Sequence, residues 1–113
     1  MKRAPRRGEV WWVALDPALG TEIRKTRPAI VVSNDSCNRF GSRVVVVPVT
    51  SNVESLYPGE AVVEIAGKPA RALGDQIRSV DRIRLRSRLA TLNPEEMRLV
   101  DDTLRVTLNL WVE

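Results

Sequence analysis

Residues 21–27 gather three cations, a carboxylate and two hydroxyls: Thr21, Glu22, Arg24, Lys25, Thr26 and Arg27. Pro28 and the apolar run Ala29-Ile30-Val31-Val32-Ser33 follow directly. Pro28 holds Arg27 in the extended region, and a strand beginning there anchors its backbone, so Arg27 is the best positioned of the three cations. A planar guanidinium fork on a rigid element suits an anion, a phosphate above all. Glu22 is the one nearby group whose ordinary pKa suits a general base. A basic loop can also serve only solubility, so the rest of the chain has to decide.

Composition removes most other chemistry. There is no histidine, which excludes Ser-His, Cys-His and paired-His catalysis. With a single cysteine, Cys37, and no histidine, a zinc site is not expected, and the carboxylates show no calcium-loop spacing. Cys37 has no base to activate it and reads as a small buried or half-buried filler. No metal and no cofactor is expected. The 113 residues carry 18 Lys+Arg against 14 Asp+Glu, a net charge of +4 with a pI near 10.0, which favours an anionic partner.

That length predicts one domain over residues 1–113, with residues 1–7 a basic and flexible arm. No apolar segment follows Lys2, Arg3, Arg6 and Arg7 as a secretory signal requires, and no run reaches the ~18 apolar residues of a membrane span. With the lone cysteine, this predicts a reducing, cytoplasmic setting.

The elements that must position these residues are mostly strands. Residues 9–15 (EVWWVAL) read as a strand covered on both faces, ended by Asp16-Pro17. The strand after Pro28 leads into a polar turn or short helix from Asn34, closed by Gly41. The run Val44-Val45-Val46-Val47 has the character of a strand buried on both sides, which Pro48 is expected to take out of the ladder, delivering Thr50 and Ser51 to a loop over residues 51–59. An alternating strand over 60–65 turns at Gly67-Lys68-Pro69 into a strand from Ala70, with a bulge or close approach at Gly74, continuing through Ile77 to Val80. Asp81 can cap one short turn. In a last strand over 83–89, Arg84, Arg86 and Arg88 would face solvent opposite Ile83, Leu85 and Leu89.

A helix follows. Asn93 is its N-cap, Pro94 suits the first position and Glu96 can close a capping box. Met97, Val100, Leu104, Leu108 and Trp111 form one apolar stripe; Leu99, Val106 and Leu110 form a second, too wide for one small barrel and therefore expected to meet another chain. Five or six short strands with one C-terminal helix predict a mainly β fold with α, a small SH3-like barrel.

Four segments in order carry a resemblance: Arg7-Gly8-Glu9-Val10-Trp11-Trp12-Val13; Gly20-Thr21-Glu22 with Arg27-Pro28-Ala29-Ile30-Val31-Val32-Ser33-Asn34-Asp35; Val45-Val46-Val47-Pro48-Val49-Thr50-Ser51; and Asp75-Gln76-Ile77-Arg78-Ser79-Val80-Asp81. They resemble the motifs of the MazF/PemK family, toxins of bacterial toxin–antitoxin pairs, in register over nearly the whole chain. The resemblance implies a barrel of the CcdB/MazF type, a homodimer, metal-independent cleavage of single-stranded RNA, and inhibition by a MazE-like antitoxin that covers the RNA groove. By position it makes Arg27 and Thr50 catalytic and Glu22 a third participant, or else an ion-pair partner that orients Arg24 or Arg27. RNA contacts are expected at Thr21, Arg24, Lys25, Asn34, Ser51, Tyr57, Gln76 and Arg78, and with Trp11, Trp12 and Trp111 read as structural, Tyr57 and Phe40 are the candidates for base stacking. The chain departs from the family at Thr21, where serine is usual, and at Ala70, where many members have serine. Two other readings share these features: a non-enzymatic CcdB-like inhibitor of DNA gyrase, whose Trp-Gly-Ile ending is absent here, and an RNA-binding module without catalysis.

Overall fold

The computed structural model describes residues 3–15, 26–54 and 60–110; Thr21, Glu22, Arg24, Lys25, Tyr57 and Trp111 lie outside them. The described elements are β1 (Glu9–Ala14), β2 (Thr26–Val31), α1 (Asp35–Phe40), β3 (Arg43–Thr50), β4 (Ala61–Ile65), β5 (Lys68–Ala72), β6 (Arg78–Asp81), β7 (Leu85–Thr91) and α2 (Pro94–Leu108). Every pairing is antiparallel, in the order β4-β5-β3-β2-β1-β7 with β6 also on β3. The sheet curls until the outer strands β4 and β7 touch without pairing, giving a mainly β, SH3-like open barrel with a C-terminal helix.

β3 organises the sheet. One edge pairs with β2, while the other pairs first with β6, along Arg43 to Val46, and then with β5 at Val49 and Thr50. Pro48 does not end the strand. It sits where the partner changes from β6 to β5, so its missing N–H interrupts neither ladder, and its carbonyl accepts the Leu73 N–H at 2.9 Å. The same change of partner breaks the expected strand from Ala70 to Val80. A 3-10 turn, Gly74–Gln76, carries the chain from β5 to β6 along one edge of β3. The hairpin between β4 and β5 turns on Ala66 and Gly67, at φ 51° and 81°, so Lys68 and Pro69 already belong to β5.

The valine run is continuous because β3 has a core on each side. Val47 and Val49 pack with Val10, Ile30, Val63 and the α2 residues Met97 and Val100; Val44 and Val46 pack with Val13, Ala29, Val31 and Val80. At the last strand the expectation needs correcting. Residues Arg82–Arg84 form a 3-10 turn and β7 begins only at Leu85, leaving Ile83 80% exposed, while Arg84 Nη1 donates to the Ala14 carbonyl at 3.0 Å. The ladder with β1 ends at Val13 and Leu85, after two register shifts.

The N-terminal arm is anchored from Arg3 onward. The Arg7 backbone N–H donates to Asp35 at 2.7 Å, its Nε to the Val32 carbonyl at 3.0 Å, and its guanidinium pairs with Asp101. Glu9, 3% exposed, accepts from Arg3 Nη2 at 2.7 Å, the Arg6 backbone at 2.8 Å, Trp11 Nε1 at 3.1 Å and Arg88 Nη1 at 3.2 Å. Burial by itself raises its pKa; the four bonds together outweigh burial and lower it from 4.5 to about 2.

α2 is capped as its sequence predicts. Asn93 accepts the Glu96 N–H at 2.8 Å, and the Glu96 carboxylate accepts the Asn93 N–H at 3.1 Å. Its other oxygen accepts the Glu64 N–H at 2.7 Å, which fastens the helix start to the edge of β4. Met97 and Val100 are buried, whereas Leu99, Val106, Leu108 and Leu110 are each about half exposed.

Candidate active site

Arg27 is the second residue of β2 and Thr50 the last of β3. Ala29 faces Pro48 across the β2–β3 ladder, and the same register continued two residues brings Arg27 opposite Thr50. Thr50 in turn faces Arg71 on β5. Residues opposite one another on neighbouring strands present side chains to one face, so Arg27, Thr50 and Arg71 form a row across three strands. The Thr50 hydroxyl accepts the Asn52 N–H at 3.2 Å, which orients its oxygen and leaves the O–H to donate outward.

Two depressions flank this row. One, of about 650 Å³, is lined by Arg27, Thr50, Glu60, Arg71, Asp75, Gln76 and Arg78 with Leu15, Pro48, Val49 and Leu73. Three guanidinium groups there meet two carboxylates. Arg71 Nη1 lies 3.6 Å from Glu60 Oε1, with both side chains mostly buried, which fixes the Arg71 fork in place. The other depression, of about 750 Å³, has apolar walls, Trp12, Pro28, Ile65, Pro69, Ala70 and Leu89 among them, with Ser51 and Lys68 at its rim. Arg27 and Thr50 border both. A phosphodiester can lie on the row with its neighbouring nucleotides in the two hollows.

The sequence-predicted residues divide three ways. Arg27, Thr50, Ser51, Gln76 and Arg78 converge on these depressions. Asn34 does not; its side chain accepts the Cys37 N–H at 2.8 Å as the cap of α1, beyond the far end of β2. Thr21, Glu22, Arg24, Lys25 and Tyr57 fall outside the described residues. Ala70 is buried and puts a methyl into the apolar hollow. Arg71, Glu60 and Lys68 line the site although the sequence reading did not single them out. The available signal was Arg71 itself, a lone guanidinium between two alanines of an alternating strand. Among the described residues, no three His, Cys, Asp or Glu side chains gather to hold a metal ion.

The comparisons with known proteins agree with one another. Residues 6–108 match the family model described as the PemK-like, MazF-like toxin of type II toxin–antitoxin systems. Endoribonuclease MazF9 of Mycobacterium tuberculosis is 38% identical over 115 aligned positions, covering 94% of this chain and 98% of that protein. The crystal structure of MazE–MazF (Form-II) from Deinococcus radiodurans superposes with a TM-score of 0.83 at 28% identity, covering 97% and 100% of the two chains. That of MazF (Form-I) from the same organism gives 0.80 at 29% identity, covering 96% and 100%. The chain belongs to the PemK-like, MazF-like toxin family of type II toxin–antitoxin systems.

Proposed function

We propose that this toxin is a sequence-specific endoribonuclease that cleaves single-stranded RNA, mRNA in particular, without a metal ion and thereby stops translation and growth. The observation that carries the reading is the Arg27–Thr50–Arg71 row between a charged and an apolar hollow. In the proposed reaction the ribose 2′-hydroxyl attacks the adjacent phosphorus and the P–O5′ bond breaks, leaving a 2′,3′-cyclic phosphate and a 5′-hydroxyl. The phosphorane between them gains negative charge, and the Arg27 fork binds it more strongly as that charge grows. Thr50 donates to a nonbridging oxygen, and Arg71 adds positive charge from a fixed position. A guanidinium keeps its proton and is a poor base, so the proton of the attacking hydroxyl passes to a carboxylate, for which we assign Glu22, and the departing 5′-oxygen takes its proton from water.

RNA contacts are proposed for Ser51, Gln76 and Arg78 in the hollows, and for Thr21, Arg24, Lys25 and Tyr57, which lie outside the described residues. Asn34, committed to its helix cap, is left out. The exposed apolar residues of α2, with Val62 beside them, support a homodimer, and the MazE–MazF assembly of the Deinococcus relative supports a MazE-like antitoxin as partner. No described helix is long and apolar enough to cross a membrane, and we place the activity in the cytoplasm. The test is incubation with long single-stranded RNA in EDTA. Fragments with 5′-hydroxyl ends at one recurring motif are expected; intact RNA across several unrelated sequences would refute the reading.

A further inference from the structure

A second cationic surface lies at the opposite end of the barrel, separated from Arg27 by about 17 Å of strand at ~3.3 Å per residue. There a depression of about 760 Å³, lined by Arg3, Arg6, Arg39, Phe40 and Arg82 with Asp35, adjoins one of about 490 Å³ that includes Arg82, Ile83 and Arg86. Arg3 is paired with Glu9, and Asp35 already accepts the Arg7 N–H. Arg6, Arg39, Arg82 and Arg86 make no ion pair among the described residues. Phe40 is 78% exposed, with the Arg39 guanidinium 5.3 Å from its ring centroid.

This combination narrows the occupant. A large exposed ring beside unneutralised guanidinium groups is a stacking platform on a phosphate-attracting surface. A two-fold contact with another copy would instead bring these cations against themselves. We propose that this surface binds a single-stranded stretch of the RNA substrate outside the cleaved motif, with Arg39 and Arg82 on phosphates and Phe40 stacked on a base. The inference rests on the endoribonuclease reading for the identity of the strand.

The experiment compares Arg39→Ser/Arg82→Ser and Phe40→Ala with wild type on the mapped cleavage motif, presented either as an oligonucleotide of about eight nucleotides or inside one of about thirty. Each variant should cleave the short RNA at the wild-type rate, with the long RNA's kcat/KM advantage reduced about tenfold. In an Arg27→Ala background, which prevents cleavage, the double variant should lower the slope of log Kd against log salt by about 1.4, the value for two lost single-strand phosphate contacts. An unchanged slope, equal losses on both RNAs, or a changed oligomeric state by sedimentation would overturn the proposal. If wild type cleaves no RNA, so that no motif can be mapped, the endoribonuclease reading fails, and the salt slope on a single strand of about thirty nucleotides still decides whether this surface holds RNA.

Discussion

Arg27 and Thr50 each lie two residues beyond Ala29 and Pro48, the last pair of the β2–β3 ladder, and both border the charged and the apolar hollow. Neither residue depends on a flexible loop for its backbone, because each is still within its strand. A site fixed in this way can meet the transition state without reorganising.

The Thr50 hydroxyl is expected to matter more than the Thr50 shape. Thr50→Val should lower kcat by about 10²–10³, the usual cost of one donor to a developing oxyanion, while Thr50→Ser should stay within about tenfold of wild type. Single-turnover cleavage of one mapped RNA measures both. Equal activity in the valine variant would remove Thr50 from the chemistry.

Glu9 makes stability acid-sensitive. Folding lowers its pKa from 4.5 to about 2, so the unfolded form binds more protons between these values. Its contribution is therefore complete above about pH 4.5 and disappears as pH falls toward about 2. Arg3 and Arg88 are about half exposed, so screening reduces its worth to about 2 kcal/mol. Urea denaturation of Glu9→Gln should show a loss of that size at neutral pH and a flatter decline in acid.

Glu96 serves both the α2 cap and the β4 edge, whereas Asn93 serves the cap alone. Asn93→Ala should cost about 1 kcal/mol, and Glu96→Ala more, because the Glu64 N–H also loses its acceptor. Thermal unfolding of the two variants gives the ranking.

Ala66 occupies a left-handed position, φ 51°, beside Gly67 at 81°. Asparagine-glycine is the favoured pair for a two-residue hairpin with positive φ at both positions. Ala66→Asn should therefore stabilise the fold by about 0.5–1 kcal/mol, read as a raised Tm.

Much of this was legible in the sequence, for physical reasons. The Asn93-Pro94-Glu95-Glu96 start of α2 is local chemistry, and the four-valine run reports a strand between two cores. What local signals could not give was the exchange of partners along β3. That exchange keeps Pro48 in the sheet, breaks the chain at Gly74–Gln76, and seats Arg71 opposite Thr50. The start of β7 was misread because alternation of Arg84, Arg86 and Arg88 mimics a strand, whereas Arg82–Arg84 form a turn and the ladder with β1 ends at Leu85. Asn34 read as a candidate contact from its place in a motif; its side chain is instead used locally, accepting the N–H of Cys37 three residues on as the cap of α1.

The role of Arg27 in the transition state is tested most directly by comparing catalysis with binding in Arg27→Ala. On a mapped single-stranded RNA in EDTA, cleavage should fall by at least about 10³, while RNA affinity, measured by anisotropy, should fall by less than about tenfold. Cleavage at the wild-type rate, or losses of cleavage and affinity by the same factor, would contradict the assignment of Arg27 to the transition state.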